Sequence, residues 1–149
     1  MTKIKRTDSS DPDFISLVRL LDAELAERDG DDHPFYAQFN SLDEIKEVVI
    51  AYIDEVPAGC GSMKINSPGT LEVKRMYVAT GHRGKGLASM ILAELETWAK
   101  ELNFHRFILE TGFNQPEAIA LYHKNGYHRI SNYGPYANVE SSACFEKRF

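Results

Sequence analysis

The sequence has no long hydrophobic run. None of its apolar stretches approaches the ~18 residues that a membrane-spanning helix needs. The first residues, Met1 to Arg6, lead into the polar residues Asp8, Ser9 and Ser10, which is unlike the apolar centre of a signal peptide. We therefore expect a cytoplasmic protein with no membrane partner.

Cysteine is scarce, and no pattern typical of a metal site is present. Cys60 and Cys144 lie far apart without a CxxC motif, which argues against a disulfide framework and against a zinc site. The histidines show no spacing such as HExxH. They are His33, His82, His105, His123 and His128. We expect two buried, reduced thiols and no metal.

Positive charge is also in short supply. The chain has 17 basic and 22 acidic residues, which gives a net charge of -5 with histidine neutral. This sign disfavours a nucleic-acid partner held by phosphate attraction and suits a cationic or amine substrate. A length of 149 residues, with 43% hydrophobic and 26% charged, is typical of one globular domain, which we place at residues 1–149.

Hydrophobic spacing and turn residues predict the order of the elements. Strands are expected at residues 3–7, 48–53, 58–65, 70–78, 106–111, 127–130 and 142–149. Helices are expected from Pro12, capped by Asp11, to about Arg28, and at 87–102 and 116–125, with a short helical turn within 29–40. Turns are expected at 54–57 and 66–69. The early strands form an antiparallel meander, whereas the later order of strand, helix and strand indicates a right-handed crossover between parallel neighbours.

Residues 81–86, Gly-His-Arg-Gly-Lys-Gly, form a glycine-rich turn at the start of a predicted helix, and we call them the glycine turn. A helix start leaves backbone N–H groups unpaired and carries a partial positive charge, so glycines there let the backbone approach a phosphate. Lys85 lacks the spacing of a nucleotide-hydrolase phosphate loop, and Ser89 stands where a dinucleotide fingerprint needs glycine or alanine. A purely structural helix start is an equal alternative.

Two motifs stand at a fixed separation in the second half of the chain. The first is Arg83-x-x-Gly86-x-Ala88, and the second is Ala118-x-x-Leu121-Tyr122-x-x-x-Gly126-Tyr127. With the segment from Glu72 to Val78, they resemble the GNAT superfamily of acyl-CoA-dependent N-acyltransferases. That superfamily carries Gln/Arg-x-x-Gly-x-Gly/Ala after a strand and Ala-x-x-Leu-Tyr-x-x-x-Gly-Phe/Tyr further on. The motifs anchor residues 70–128, and the element order extends the resemblance to the whole chain.

The resemblance implies an α/β fold with a mostly antiparallel central sheet of six to seven strands, a parallel central pair and about four flanking helices. It implies an enzyme that uses acetyl-CoA as cosubstrate. Backbone groups of the glycine turn would hold the pyrophosphate, and backbone groups around Met76 and Val78 would align the acetyl group and the pantetheine arm. The coenzyme-binding residues are then expected to be Met76, Tyr77, Val78, Arg83, Gly84, Lys85, Gly86, Leu87 and Ala88.

The same resemblance leaves one amide open and suggests a local charge pattern. An asparagine commonly stands seven residues before the tyrosine of the second motif; here that position is Gln115, preceded by Asn114, so either amide is a candidate. Four cations are expected to form a cationic cradle for the coenzyme within this acidic chain. They are Lys74, Arg75, Arg83 and Lys85.

Aminolysis of a thioester needs a deprotonated amine, a polarised carbonyl and a proton for the departing thiolate. Tyr122 is the candidate proton donor, because a phenol with a pKa of about 10 is protonated at neutral pH. The resemblance supports this role, since the tyrosine at this position is the donor in many members of the family. Glu110 is the first candidate for the base, since N-terminal acetyltransferases of the superfamily have a glutamate at the matching point. Glu72 and water are the rivals. A tyrosine packed on the sheet and solvated or ion-paired glutamates are the alternatives without function.

Aromatic residues from two loops would line the acceptor side in the layout of the superfamily. They are Phe35, Tyr36, Phe39, Tyr133 and Tyr136. With the acidic residues Asp29, Asp31 and Asp32 nearby, such a pocket suits an amine on an apolar body, although a small core under a long loop is an equal alternative. The expected acceptor is a primary amine of a small molecule, amino acid or peptide. A noncatalytic acyl-CoA sensor, a protein N-terminal acetyltransferase and a homodimer are left open.

Overall fold

The computed structural model describes residues 1–30 and 45–149. Its strands are β1 (Thr2–Thr7), β2 (Glu47–Ile53), β3 (Val56–Ser67), β4 (Thr70–Val78), β5 (Arg106–Gly112), β6 (His128–Ile130) and β7 (Ser142–Arg148). Its helices are α1 (Pro12–Asp29), α2 (Leu87–Glu101) and α3 (Pro116–Lys124), with single 3-10 turns at Thr80–His82 and Gly134–Tyr136. The helical turn expected within 29–40 falls almost entirely outside the described residues.

The seven strands form one sheet in the order β1-β2-β3-β4-β5-β7-β6. Every neighbouring pair is antiparallel except β4 and β5, which run parallel and pair only from Thr70 to Glu72 against Arg106 to Ile108. Beyond these three pairs the two strands separate toward their carboxyl ends. The predicted mixed sheet with a parallel central pair is confirmed, and the separation leaves an opening in the middle of the sheet.

Helix α1 covers one face of the sheet. Asp11 caps it by accepting a hydrogen bond from the backbone N–H of Asp13, and Pro12 fits the first turn because that position needs no N–H donor. Its apolar face, with Phe14 fully buried, packs on side chains of β2 and β3. Truncation of Phe14 to alanine is expected to cost about 3 to 5 kcal/mol, because a buried aromatic ring leaves a cavity that collapses only in part.

Helix α2 covers the opposite face, together with α3. Ile91, Leu92 and Leu95 are completely buried there. Gly61 of β3 lies directly beneath α2, where a Cβ atom would collide with Met76 and Ile91, so only glycine permits this close approach. The packing fixes α2, and therefore the glycine turn in front of it, relative to β3 and β4.

Element boundaries differ from the predictions mainly around β3. The turn before it is two residues long, because Asp54 and Glu55 both have positive φ angles of 48° and 70°, as a tight two-residue hairpin requires. Val56 and Pro57 therefore belong to the strand, and Pro57 is accommodated at a register shift opposite Tyr52. Both cysteines are buried free thiols, as expected. No helix within residues 1–30 and 45–149 is long and apolar enough to cross a membrane.

Candidate active site

A cavity of about 390 Å³ lies where β4 and β5 separate. Its walls come from the second half of α1, from β4 and β5, from the glycine turn with the start of α2, and from α3. All three predicted catalytic candidates line it, namely Glu72, Glu110 and Tyr122. Eight of the nine predicted coenzyme-binding residues of β4 and the glycine turn also line it, and these are Met76, Tyr77, Val78, Arg83, Gly84, Gly86, Leu87 and Ala88.

The glycine turn brings two glycines to this cavity. Gly84 and Gly86 have φ angles of +80° and +79°, a region that other L-residues rarely adopt, and a Cβ atom at either would meet open space. Gly86 is the N-cap of α2, and no side chain caps the helix. The first N–H groups of α2 therefore have no capping side chain, which fits a phosphate group at the positive end of the helix dipole.

Three residues of the expected cationic cradle line the cavity, namely Lys74, Arg75 and Arg83, but each has a carboxylate beside it. Arg75 is 2% exposed and forms an ion pair of 2.5 Å with Asp22 of α1, and Lys74 lies 3.7 Å from Glu72. Arg83 donates from Nη2 to Glu24 and from Nε to the carbonyl of Val78, both at 2.8 Å. Lys85 is exposed and is not among the lining residues. Three of the four cations thus have carboxylate neighbours, because α1 and β4 bring acidic side chains to them.

A bulge in β4 shapes the wall beside Met76. The register against β3 shifts between Cys60 and Ser62, and Arg75 adopts a positive φ angle of 60°. Cys60 Sγ donates to the Arg75 carbonyl at 3.4 Å. Burial raises the pKa of this thiol to about 12, which keeps it protonated as a donor. A bulge leaves backbone groups without ladder partners, so it suits the alignment of a ligand along β4.

Glu110 is the most perturbed carboxyl in the cavity. Its pKa is raised to about 7, chiefly by burial and also by the charges of Asp29 and Glu72, while the hydrogen bond from Ser142 and the charge of Lys74 lower it. Ser142 Oγ donates to Oε2 of Glu110 at 2.7 Å. A carboxylate whose pKa lies near neutrality can both accept and release a proton under ordinary conditions, as a general base must.

Glu72 lies on the same face of the sheet as Glu110, because Glu72 pairs with Ile108 and Glu110 stands two residues further along β5. Its Oε2 accepts a 2.6 Å hydrogen bond from the hydroxyl of Tyr133. Its side chain is 14% exposed. We call Glu72 and Glu110 the carboxylate pair. Two different partners hold the two members.

Tyr122 packs into the floor of the cavity. Its ring contacts those of Tyr127 and Phe145, with centroids 5.7 Å and 6.0 Å apart, and the residue is 5% exposed. Burial and then the nearby charge of Glu110 raise the pKa of its hydroxyl well above the ordinary value. The phenol therefore stays protonated at neutral pH and can serve as a proton donor. The structure also fits the alternative in which Tyr122 only packs on the sheet, because the same buried ring would serve in both roles.

The two candidate amides have different surroundings. Asn114 donates from Nδ2 to the carbonyl of Arg28 at 2.7 Å and to Asp29 at 3.3 Å, so it ties the end of α1 to the loop before α3. It is not a lining residue, whereas Gln115 is. The geometry favours Gln115 as the amide that faces a ligand.

The expected acceptor residues are only partly described. Phe35, Tyr36 and Phe39, with Asp31 and Asp32, lie outside the described residues. Tyr136 lines the cavity. The ring of Tyr133 packs edge-on against the ring of Tyr136, with centroids 6.0 Å apart, and the hydroxyl of Tyr133 donates to Glu72. Asp29 also lines the cavity, at 9% exposure.

Sequence reasoning missed Ser142 and Glu24. Ser142 reaches Glu110 because Glu110 pairs with Cys144 in the β5–β7 register, which places Ser142 diagonally opposite on the same face. Glu24 lies on α1, with no local signal that it would meet Arg83. Among the described residues, no group of three or more His, Cys, Asp or Glu side chains is arranged to hold a metal ion.

Comparisons with known proteins agree with this geometry. A family model described as the Acetyltransferase (GNAT) family matches residues 14–127. An IAA acetyltransferase of Azospirillum brasilense is 31% identical over 141 residues, covering 89% of this chain and 88% of that protein. A Klebsiella pneumoniae structure named as an acyl-CoA N-acyltransferase is 30% identical, has a TM-score of 0.83, and is covered to 97% by 99% of this chain.

A third comparison concerns the fold alone. The PaiA N-acetyltransferase of Thermoplasma acidophilum, solved in complex with coenzyme A, has a TM-score of 0.75 at 16% identity, with 100% of this chain and 99% of that chain covered. The open parallel pair, the uncapped helix start and these matches define an acyl-CoA N-acyltransferase. The chain belongs to the GNAT family of acetyltransferases. The predicted family, fold class and enzyme class are thereby confirmed, and acyl-CoA binding is supported for the family.

Proposed function

We propose that this protein transfers the acetyl group of acetyl-CoA to the primary amine of a small molecule, an amino acid or a peptide, by direct attack. Glu110 is the general base and Tyr122 the general acid in this proposal. The observation that carries it is that Glu110, Tyr122 and the glycine turn all line one cavity. A proton acceptor, a proton donor and an uncapped helix start then face the same space.

Acetyl-CoA supplies the thioester that the amine attacks. In the proposed complex, backbone N–H groups from Arg83 to Ala88 hold the pyrophosphate, and the exposed ammonium group of Lys85 adds a positive charge. Backbone groups from Met76 to Val78 lie along the acyl arm, and Gln115 supplies the amide on the opposite side. The open space at Gly84 and Gly86 and the missing side-chain cap of α2 support this arrangement.

Two proton transfers are assigned to this chain's own side chains. Glu110 accepts a proton from the acceptor amine, directly or through water, which makes the nitrogen nucleophilic. Tyr122 donates its hydroxyl proton to the departing sulfur, and the raised pKa of the phenol keeps that proton available at neutral pH. Each transfer by a well-placed group is expected to contribute about 10² to 10⁴ in rate.

Glu110 is chosen over Glu72 because of the hydrogen bonds that each carboxylate makes. Glu72 accepts a short hydrogen bond from Tyr133 at Oε2 and has the ammonium group of Lys74 beside Oε1, so both of its carboxyl oxygens already have partners. The burial of Glu110 favours its protonated form, which brings its pKa to about 7. A base that binds a proton well near neutral pH is better matched to the task.

The acceptor side and the assembly are part of the same proposal. Tyr133 and Tyr136 are assigned to the acceptor wall. Asp29 and the carboxylate pair give this wall a negative character that suits an amine. We also propose that residues 1–149 form a single domain, since one sheet includes strands from both ends of the chain.

The first experiment combines coenzyme binding with an acceptor survey. Thermal unfolding is followed with and without acetyl-CoA, and free thiol release is measured with amines, amino acids and peptides. Protection together with thiol release for at least one primary amine supports the proposal, and release with peptide N-termini alone indicates an N-terminal acetyltransferase. Protection without release, and with Tyr122→Phe changing no rate, indicates a sensor. A normally folded protein that acetyl-CoA does not protect contradicts the proposal.

A further inference from the structure

Both members of the carboxylate pair are held by hydroxyl groups from one segment. The return loop, residues 131–141, connects β6 to β7, and it delivers Tyr133 to Glu72 at 2.6 Å. Immediately after the loop, Ser142 reaches Glu110 at 2.7 Å. The amide of Asn132 donates to the carbonyls of Val139 and Ser142, both at 3.0 Å, which ties the two ends of the loop together. The two contacts therefore belong to one closed structure.

We propose that Tyr133 and Ser142 are positioning residues that hold Glu72 and Glu110 side by side in the cavity, so that the carboxyl group of Glu72 acts on that of Glu110. The inference rests on the proposed role of Glu110 as the general base and adds how its basicity is fixed. Tyr133 acts through Glu72, whereas Ser142 acts on Glu110 directly. Neither residue needs to touch the reacting atoms.

The groups that face Glu110 determine the sign of each effect. Asp29 of α1 and Glu72 of β4 raise its pKa by their negative charge, and Lys74 of β4 lowers it. From β7, Ser142 lowers it by donating a hydrogen bond. Tyr122 of α3 and Cys144 of β7 are also close enough for the charge of Glu110 to raise their own pKa values. Removal of Glu72 should thus lower the pKa of Glu110, whereas removal of the Ser142 hydroxyl should raise it.

The test titrates Glu110 directly and needs no acceptor. Carbon-13 NMR follows the side-chain carboxyl carbons in the full chain, and the Glu110 signal is assigned by its absence in Glu110→Gln. In the wild-type protein the pKa is expected near the value of about 7. Glu72→Gln should lower it by about one, because a neighbouring negative charge is lost. Ser142→Ala should raise it by about one, and Ser142→Thr, which retains a hydroxyl, should restore it.

Tyr133→Phe provides a second test, because Tyr133 contacts Glu72 and can act on Glu110 only through it. It should lower the pKa of Glu110 by about half as much as Glu72→Gln, since Glu72 is no longer held beside Glu110. In the Glu72→Gln background, Tyr133→Phe should have no further effect, while Ser142→Ala should still raise the pKa. If Ser142→Ala fails to fold, Tyr133→Phe and its double variant still decide the outcome.

Matched controls use equivalent hydrogen bonds elsewhere. Tyr52 donates to Asp13 at 2.7 Å and Ser10 donates to Asp8 at 2.5 Å, both away from the cavity. Tyr52→Phe and Ser10→Ala should leave the pKa of Glu110 unchanged. An unchanged pKa in Glu72→Gln, or an equal effect of Tyr133→Phe with and without Glu72, overturns the inference. A Glu110→Gln variant that transfers acetyl groups at the wild-type rate overturns the catalytic assignment instead and leaves the coupling intact.

Discussion

The glycine turn and the carboxylate pair line the same cavity but depend on different parts of the chain, backbone conformation in the first case and side-chain contacts in the second. At the glycine turn the surface is backbone, and its fit for an anion depends on two positive φ angles and an uncapped helix start. At the carboxylate pair the surface is side chain, and the two carboxyl groups accept hydrogen bonds from Tyr133 of the return loop and from Ser142 at the start of β7. The first end should tolerate many side chains but few backbone changes. The second end should show the reverse.

After the loss of Glu110 itself, the largest effect is expected from Tyr122, at the side-chain end of the cavity. Tyr122→Phe removes the proton donor without changing the ring that packs on Tyr127 and Phe145, so kcat should fall about 10²-fold. The Kd for acetyl-CoA, measured by calorimetry, should stay within about twofold. An equal loss of kcat and coenzyme affinity would instead indicate that the ring only packs.

A comparable free-energy effect is expected on stability. The pKa of Glu110 is raised from 4.5 to about 7 on folding, so its favourable contribution is present below pH 4.5 and is lost as the pH rises through 7. Glu110→Gln cannot ionise, and it should therefore unfold with about 2 to 3 kcal/mol more free energy than wild type at pH 8. At pH 4 the two should agree. Denaturant unfolding at both pH values checks this, and exposed Glu27→Gln serves as a control that should show no such pH dependence.

A smaller effect is expected at the glycine turn. Gly86→Ala places a side chain at φ +79°, which strains the backbone without any steric collision, and the affinity for coenzyme A should fall about tenfold. Gly81→Ala is the matched control, since Gly81 lies in the same turn, has no positive φ and also faces open space. The same Kd in both variants would show that the backbone conformation of the turn does not hold the coenzyme.

The smallest effect concerns the carboxylate that occupies Arg83. Glu24→Gln frees the guanidinium and removes a negative charge beside the glycine turn, so coenzyme A should bind about three to five times more tightly. Acetylpantetheine, which lacks the pyrophosphate, should bind equally well to both proteins. Glu27→Gln removes the same charge one turn further along α1 and should change neither affinity. Weaker coenzyme binding in Glu24→Gln would mean that Glu24 positions Arg83 rather than competing for it.

The sequence predicted the backbone end of the site better than the side-chain end. Glycines at 84 and 86 act locally, and their conformational freedom is visible in the motif itself. Periodicity likewise placed nearly every element, because helix and strand spacing depends on neighbours along the chain. The confirmed parallel pair followed from the strand, helix and strand order.

What the sequence could not provide depends on register and on long-range charge pairing. Ser142 meets Glu110 only because β5 and β7 pair with Glu110 opposite Cys144. The carboxylate partners of the cationic cradle were not foreseen, because Asp22 and Glu24, fifty or more residues away in sequence, reach Arg75 and Arg83. None of these three contacts has a local sequence pattern, and each changes the electrostatics of the cavity.

The central claim is that Glu110 removes the proton from the acceptor amine. The most direct measurement is acetyl transfer by Glu110→Gln and wild type with the same amine, followed as thiol release across pH. The account predicts a loss of about 10³-fold in kcat near neutral pH, with the Kd for acetyl-CoA unchanged and the acidic limb near pH 7 abolished. Wild-type turnover with an unchanged acidic limb in the variant would contradict it.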